Sequence, residues 1–318
     1  MIRTIQEKIR AHPFIRTMPE KYLALMAAAA AERAFQPGEI LVREGDPANR
    51  FFLIQNGRVA LQAHRPAVGD VPIQFLSEGD VLGWSWLFAP FVWRFQARAI
   101  EPTNALVLDG GHLLVASETD HAFGYELMTR ISQTIIRALQ ATRKRLLETG
   151  SRPALRFPAK NLFEFQPNIQ SLEERIARHP FLHGLSVQHL NRLGECARPT
   201  EFETGQLIFQ TGDPADRFYL LEQGSVSLEA RRENGPIQIQ IIGPGDVLGW
   251  SWLFDPYLWN FDARALERTS ALFFYGTWLR EWCAQNPDFG YELMKRVAQI
   301  VLQRLQATRQ LLIEATPA

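Results

Sequence analysis

The segment Gly83-Trp-Ser-Trp-Leu-Phe88 recurs unchanged as Gly249-Trp-Ser-Trp-Leu-Phe254, 166 positions later, and this repetition constrains the fold more than any other feature. Further matched pieces keep nearly the same spacing: His12-Pro-Phe14 with His179-Pro-Phe181, Gly45-Asp-Pro-Ala48 with Gly212-Asp-Pro-Ala215, Gly124-Tyr-Glu-Leu-Met128 with Gly290-Tyr-Glu-Leu-Met294, and Leu139-Gln-Ala-Thr-Arg143 with Leu305-Gln-Ala-Thr-Arg309. The offset is 167 before the loop expected at Pro66 to Pro72 and 166 after it, which places a one-residue length change where loops tolerate one. The chain is a tandem duplication. Its 318 residues suit two domains of about 100–200 residues each. The stretch Thr149 to Asn168 carries Pro153, Pro158 and Pro167 and reads as a connector. The expected organisation is domain 1 over 1–150, a linker over 151–168 and domain 2 over 169–318.

Each copy shows the same order of signals: a helical start, short β-branched and aromatic runs between turn residues, and a long helical finish. In the first copy Phe51–Ile54, Arg58–Ala63, Ile73–Leu76, Phe95–Ile100 and Ala105–Leu108 read as strands, with Asn56-Gly57 and Glu78-Gly79-Asp80 as turns. The expected fold class is mainly β with flanking α: two tandem jelly-roll barrels, each with a long C-terminal helix. The closing helix, from about Tyr125 to Glu148, has an apolar stripe of Met128, Ile131, Ile135, Leu139 and Leu146. Its twin, about Tyr291 to Glu314, repeats the stripe as Met294, Val297, Val301, Leu305 and Leu312, so the two helices can pair as an intramolecular pseudo-dimer or pack on their own barrels. The alanine run Ala27 to Ala31 reads as part of a helix beginning near Glu20.

Lys plus Arg and Asp plus Glu number 34 each, so the basic excess of a nucleic-acid binder is missing. Cys196 and Cys283 are too few and too far apart for a disulfide framework or a cysteine metal site. Neither a signal peptide nor a membrane span is legible, and a cytoplasmic setting is expected.

The run Pro37-Gly38-Glu-Ile-Leu-Val-Arg-Glu-Gly-Asp46, the turn Gln55-Asn-Gly57, the approach Glu78-Gly-Asp-Val-Leu-Gly83 and the long final helix together resemble the cyclic-nucleotide-binding domain of the Crp-Fnr type. Glu203 to Asp213, Glu222-Gln-Gly224 and Gly243-Pro-Gly-Asp-Val-Leu-Gly249 repeat the resemblance. It implies a phosphate-binding cassette in which a Gly-Glu pair opens a short helix and an Arg about nine or ten residues later meets the cyclic phosphate. Gly83 and Gly249 match the glycine, but Trp84 and Trp250 stand at the carboxylate positions, with Ser85 and Ser251 after them. Trp93 and Trp259 stand where the resemblance puts the phosphate arginine, beside Arg94 and Asn260; Arg98 and Arg264 follow as the other candidate cations. Ordinary cyclic AMP or cyclic GMP is therefore not the expected ligand. A base-contacting threonine of the family would fall on Thr142 and Thr308, which a helix-packing role explains equally.

The retained tryptophans either stack on the ring of a nucleotide-like or anionic small molecule, or fill a vacated pocket as core. Arg98 and Arg264 either bind an anion or make barrel-surface ion pairs. No metalloprotease pair, phosphate loop or nucleophile elbow occurs, and the strands are nearly devoid of histidine, so an enzyme is not expected. A helix-turn-helix after the long helix, as in the family's transcription regulators, is not legible either, and direct DNA binding is not expected. Two functional classes remain. One is a small-molecule sensor. The other is an accessory subunit with a vestigial pocket that binds a partner protein, such as a redox enzyme complex; single-domain proteins with a similar Gly-Trp-Ser-Trp segment occur, by family resemblance, with nicotinamide-linked hydrogenases.

Overall fold

Strands form where β-branched and aromatic residues run between turn residues. The computed structural model describes residues 4–66, 68–149, 155–156, 171–232 and 235–315, and places two such sets of strands along the chain. By contact the chain divides into two units, Met1–Thr142 with Val297–Ala318, and Arg143–Arg296.

In the first unit α1 (Ile5–Ala11) and α2 (Glu20–Ala28) precede eight strands: β1 (Ala30–Phe35), β2 (Ile40–Val42), β3 (Arg50–Asn56), β4 (Arg58–Arg65), β5 (Gly69–Ser77), β6 (Val81–Leu82), β7 (Gln96–Ala99) and β8 (Thr103–Asp109). Then follow α3 (Gly110–Thr119) and α4 (His121–Glu148). Helix α1 starts at a capping box, in which the Thr4 hydroxyl accepts from the Glu7 N–H and the Glu7 carboxylate accepts from the Thr4 N–H. The strands make two antiparallel sheets, in the orders β1-β8-β3-β6 and β2-β7-β4-β5, which is the expected jelly roll. Phe35, Phe52 and Ile54 of one sheet meet Leu41, Val59, Leu61, Leu76 and Ala97 of the other in the core. Strand β3 is apolar on both faces because both are covered: Phe52 points into the barrel, while Phe51 packs edge-on against Phe14 and Trp86.

The second unit repeats the plan. Its elements are β9 (Leu155–Arg156), α5 (Leu172–Arg178), α6 (Val187–Cys196), β10 (Arg198–Phe202), β11 (Leu207–Phe209), β12 (Arg217–Gln223), β13 (Val226–Ala230), β14 (Ile237–Ile242), β15 (Val247–Leu248), β16 (Asp262–Ala265), β17 (Thr269–Tyr275), α7 (Gly276–Gln285) and α8 (Pro287–Ala315). From Val297 onward α8 belongs to the first unit, and from Arg143 onward α4 belongs to the second. The sheet orders are β10-β17-β12-β15 and β11-β16-β13-β14-β9, with β9 added parallel to β14. Buried Glu222 is held by Arg175, whose Nε donates to Oε1 at 2.8 Å and whose Nη2 donates to Oε2, so the carboxylate does not enter the interior unpaired.

The mainly β class, the duplicated jelly roll and the long helices agree with the sequence reading. Three details differ. Helix α2 stops at Ala28 and the chain turns into β1 at Ala30, because Ala30–Phe35 pairs antiparallel with β8 and sheet pairing overrides alanine's helix preference. Strand β5 begins at Gly69 rather than Ile73, so Gly69–Pro72 of the expected loop Pro66 to Pro72 pairs with β4 instead. The helices α3 and α7 before each long helix were not legible as separate elements. The expected linker 151–168 lies, apart from Leu155–Arg156, outside the described residues.

The repeated His-Pro-Phe segment is a structural clip. His12 is buried, its Nδ1 accepts from the Phe14 N–H, and its Nε2 lies 3.2 Å from the Ile54 carbonyl, an arrangement that suits the neutral ring. Burial pushes its pKa below the ordinary histidine value, against the opposing pull of Asp80 and Glu78. The unfolded chain then takes up this proton first as pH falls through about 6.5, so stability is complete above that pH and is lost below it, down to the folded pKa. Thermal melts from about pH 7 to pH 5 are expected to show a falling Tm, and His12→Gln to reduce the slope. Half-buried His189 is shifted in the same direction and should retain its share of the slope. A full slope in His12→Gln would remove His12 as a source.

Candidate functional site

Gly83 adopts φ +98°, and a Cβ there would lie 2.6 Å from the Trp93 ring and 2.7 Å from the Arg50 carbonyl oxygen. Gly249 repeats this with φ +84° and a Cβ position 2.7 Å from the Trp259 ring. Glycine is required twice over, for the backbone angle and for the close approach of an indole. The following Ser85–Leu87 and Ser251–Leu253 each make a single 3-10 turn. The Nε1 groups of Trp86 and Trp252 donate to the carbonyls of Gly83 and Gly249 at 3.1 Å, so the second tryptophan of each motif locks its own turn.

The first tryptophan faces a cavity of the first unit. Trp84, Trp93, Ser85, Arg94, Gln306 and Arg309 are among its walls, and about 30 Å³ of free space remains, roughly room for one or two waters. Trp93 also belongs to the barrel core, its ring tilted against Phe52 with centroids 6.2 Å apart. In the second copy Trp259 lies flat on Phe209, centroids 3.8 Å apart and planes 10° apart, at the position where the first copy has Val42. Both indoles therefore carry packing in their own barrels. Trp84 and Trp250 are each 9% exposed, at the boundary between wall and core.

Arg309, in the part of α8 that belongs to the first unit, is 3% exposed. Its Nη2 donates to Gln74 Oε1, and its guanidinium carbon lies 6.0 Å from the Trp84 ring centroid and 5.6 Å from that of Phe95. Burial pushes its pKa down to about 9, still charged at neutral pH. The second unit holds the equivalent triplet: Arg143 donates to Gln240 and lies 5.4 Å from the Phe261 ring. Of the repeated Leu-Gln-Ala-Thr-Arg segment, it is the arginine and not the threonine that reaches the first unit's cavity. Thr142 and Thr308 are buried and donate at 2.7 Å to the carbonyls of Ala138 and Arg304, one turn back along their own helices.

The remaining candidates separate. Gly83, Trp84, Ser85, Trp93 and Arg94 meet at this narrow cavity, with Arg94 on its exposed side. Arg98 is not among the walls: its Nη1 donates to the Gly38 carbonyl at 2.9 Å and its Nη2 lies 3.5 Å from Asp70. Arg264 repeats the arrangement, donating to the Gly205 carbonyl at 2.9 Å and lying 3.4 Å from Glu229. Asp70 titrates below the usual carboxylate value, chiefly through its hydrogen bond with His64. Ser251 accepts from Asn260 Nδ2 at 3.3 Å, the contact that the second copy makes where the first has Arg94.

The family model described as cyclic nucleotide-binding domain matches residues 32–120 and 199–286. The CRP-like cAMP-activated global transcriptional regulator of Mycobacterium tuberculosis is 27% identical over 129 residues, covering 40% of this chain and 58% of that protein. The cAMP-dependent protein kinase type II regulatory subunit of Drosophila melanogaster is 20% identical over 243 residues, covering 76% of this chain and 52% of that protein. The chain spans about half the length of these curated relatives. A solved cyclic nucleotide-binding domain from Methylobacillus flagellatus is 18% identical with a TM-score of 0.42, covering 46% of this chain and 85% of that one. With two matched segments that together exceed half its length, the chain belongs to the cyclic nucleotide-binding domain family and carries that domain twice.

Proposed function

We propose that the protein is a non-catalytic regulatory module whose domains respond to a small molecule other than cyclic AMP or cyclic GMP. The observation that carries this reading is the wall chemistry of the first unit's cavity. A buried indole, Trp93, stands where the family resemblance puts the phosphate arginine, and Trp84 stands in place of the ribose-binding carboxylate. An indole offers a flat apolar face and one N–H donor, so it can neither neutralise a cyclic phosphate nor accept from a ribose hydroxyl. The relatives named above, a transcriptional regulator and a kinase regulatory subunit, support a regulatory role. In this proposal the output passes through α4 and α8, paired along the Met128 and Met294 stripes, and the net charge of zero argues against direct DNA reading.

Calorimetry with cyclic AMP and cyclic GMP is expected to show no binding or very weak binding. A dissociation constant in the low micromolar range or tighter would mean that another cation replaces the family arginine and that the reading is wrong. The narrowness of the cavity, about 30 Å³ of free space, favours a second reading, an accessory subunit whose pocket is filled and whose surface binds a partner protein. A thermal-shift screen over nucleotides and small metabolites separates the two, because a ligand that binds the native state raises Tm by mass action.

A further inference from the structure

The guanidinium of Arg309 is buried without a counter-ion. Its Nε meets no hydrogen-bond acceptor, its bond to Gln74 reaches a neutral amide, and among the described residues no carboxylate forms an ion pair with it. A charge taken out of water in this way is costly unless an opposite charge joins it. The flanking rings of Trp84 and Phe95, 5.6–6.0 Å from the guanidinium carbon, compensate only in part. Beside it lies the residual space of the cavity, walled also by Ser85 and Gln306 and with Arg94 on its exposed side.

We infer that Arg309 anchors a site for a small carboxylate in the first unit's cavity, the planar carboxylate lying in the plane of the guanidinium fork between the Trp84 and Phe95 rings. This deepens the sensor reading and rests on it. The class of ligand follows from shape and charge. A guanidinium presents paired, parallel N–H donors that match two carboxylate oxygens. Space for one or two water-sized groups admits a flat two-oxygen head group more readily than a tetrahedral phosphate. The cation also enters from α8, more than two hundred positions beyond the Gly-Trp-Ser-Trp motif, so occupancy of the cavity would bear directly on the position of the long helix.

The test is thermal melting and tryptophan fluorescence of the whole 318-residue chain titrated with sodium acetate, at ionic strength held constant with chloride, beside a parallel titration with inorganic phosphate. Acetate is expected to raise Tm and to change the fluorescence saturably, and phosphate to do neither. Arg309→Met should abolish the acetate response and, without acetate, melt no lower than the unsubstituted protein, because an uncompensated charge has been replaced by an apolar chain of similar length. Arg309→Lys keeps the charge without the fork and should respond more weakly, which keeps the test decisive if the methionine variant does not fold. An unsubstituted protein that responds to acetate no more than to chloride overturns the inference, as does a full acetate response in Arg309→Met. A response to phosphate alone overturns the carboxylate assignment. A screened metabolite that shifts the unsubstituted protein and Arg309→Met equally sinks this site and leaves the sensor reading standing.

Discussion

Trp93→Ala is expected to lower the stability of the first domain by about 3–5 kcal/mol, the range for removing a large aromatic from a packed core. The indole is 5% exposed, packs against Phe52, closes one side of the cavity and lies against the backbone at Gly83. Alanine would leave a hole that the antiparallel sheets on either side cannot collapse to fill. Denaturant melts followed by fluorescence would measure the loss. A change below about 1 kcal/mol would show that the ring is a loosely held wall, and the core assignment would fail.

Gly83→Ala should cost about 2–5 kcal/mol, combining a backbone angle that L-residues avoid with overpacking against a rigid neighbour. The added methyl meets two obstacles, the Trp93 ring at 2.6 Å and the Arg50 carbonyl at 2.7 Å. Only the first is a side chain. The double variant Gly83→Ala with Trp93→Ala should therefore be less destabilised than the sum of the singles, with a coupling of about 0.5–3 kcal/mol. Strict additivity would mean that the ring is not what makes alanine intolerable, leaving the Arg50 carbonyl and the backbone angle as the causes.

Most of the barrel was legible because its strands carry dense Phe, Leu, Ile and Val runs between Gly and Asp turns, and because the duplication gives every signal twice. Strand β1 was not: Ala30-Ala-Glu-Arg-Ala has no β preference of its own, and only its partner β8 makes it extended. The site divides the same way. Gly83, Trp84 and Trp93 are close in sequence and recur, so their convergence could be read directly. Arg309 could not be placed, since it meets Gln74 across 235 positions and sits in a helix whose periodic stripe accounts only for its apolar neighbours. Its one sequence signal was its repetition as Arg143, and nothing in a helical pattern distinguishes a buried cation from a solvated one.

The first unit is discontinuous, built from the opening 142 residues and from Val297 onward. Its strands are complete by Asp109, yet Arg309, a wall of its cavity, and Ile313, which packs with Ala63 and Ile73, come from α8, beyond all the strands of the second barrel. The barrel whose strands come first in the sequence is thus completed by residues that follow the strands of the second. A nascent or proteolysed chain lacking the end of α8 would have its second barrel's strands in full but would expose the cavity of its first. Damage at the end of α8 is registered in the first barrel, so a truncation there should be scored by proteolysis or amide exchange of β4 and β5 rather than beside the cut.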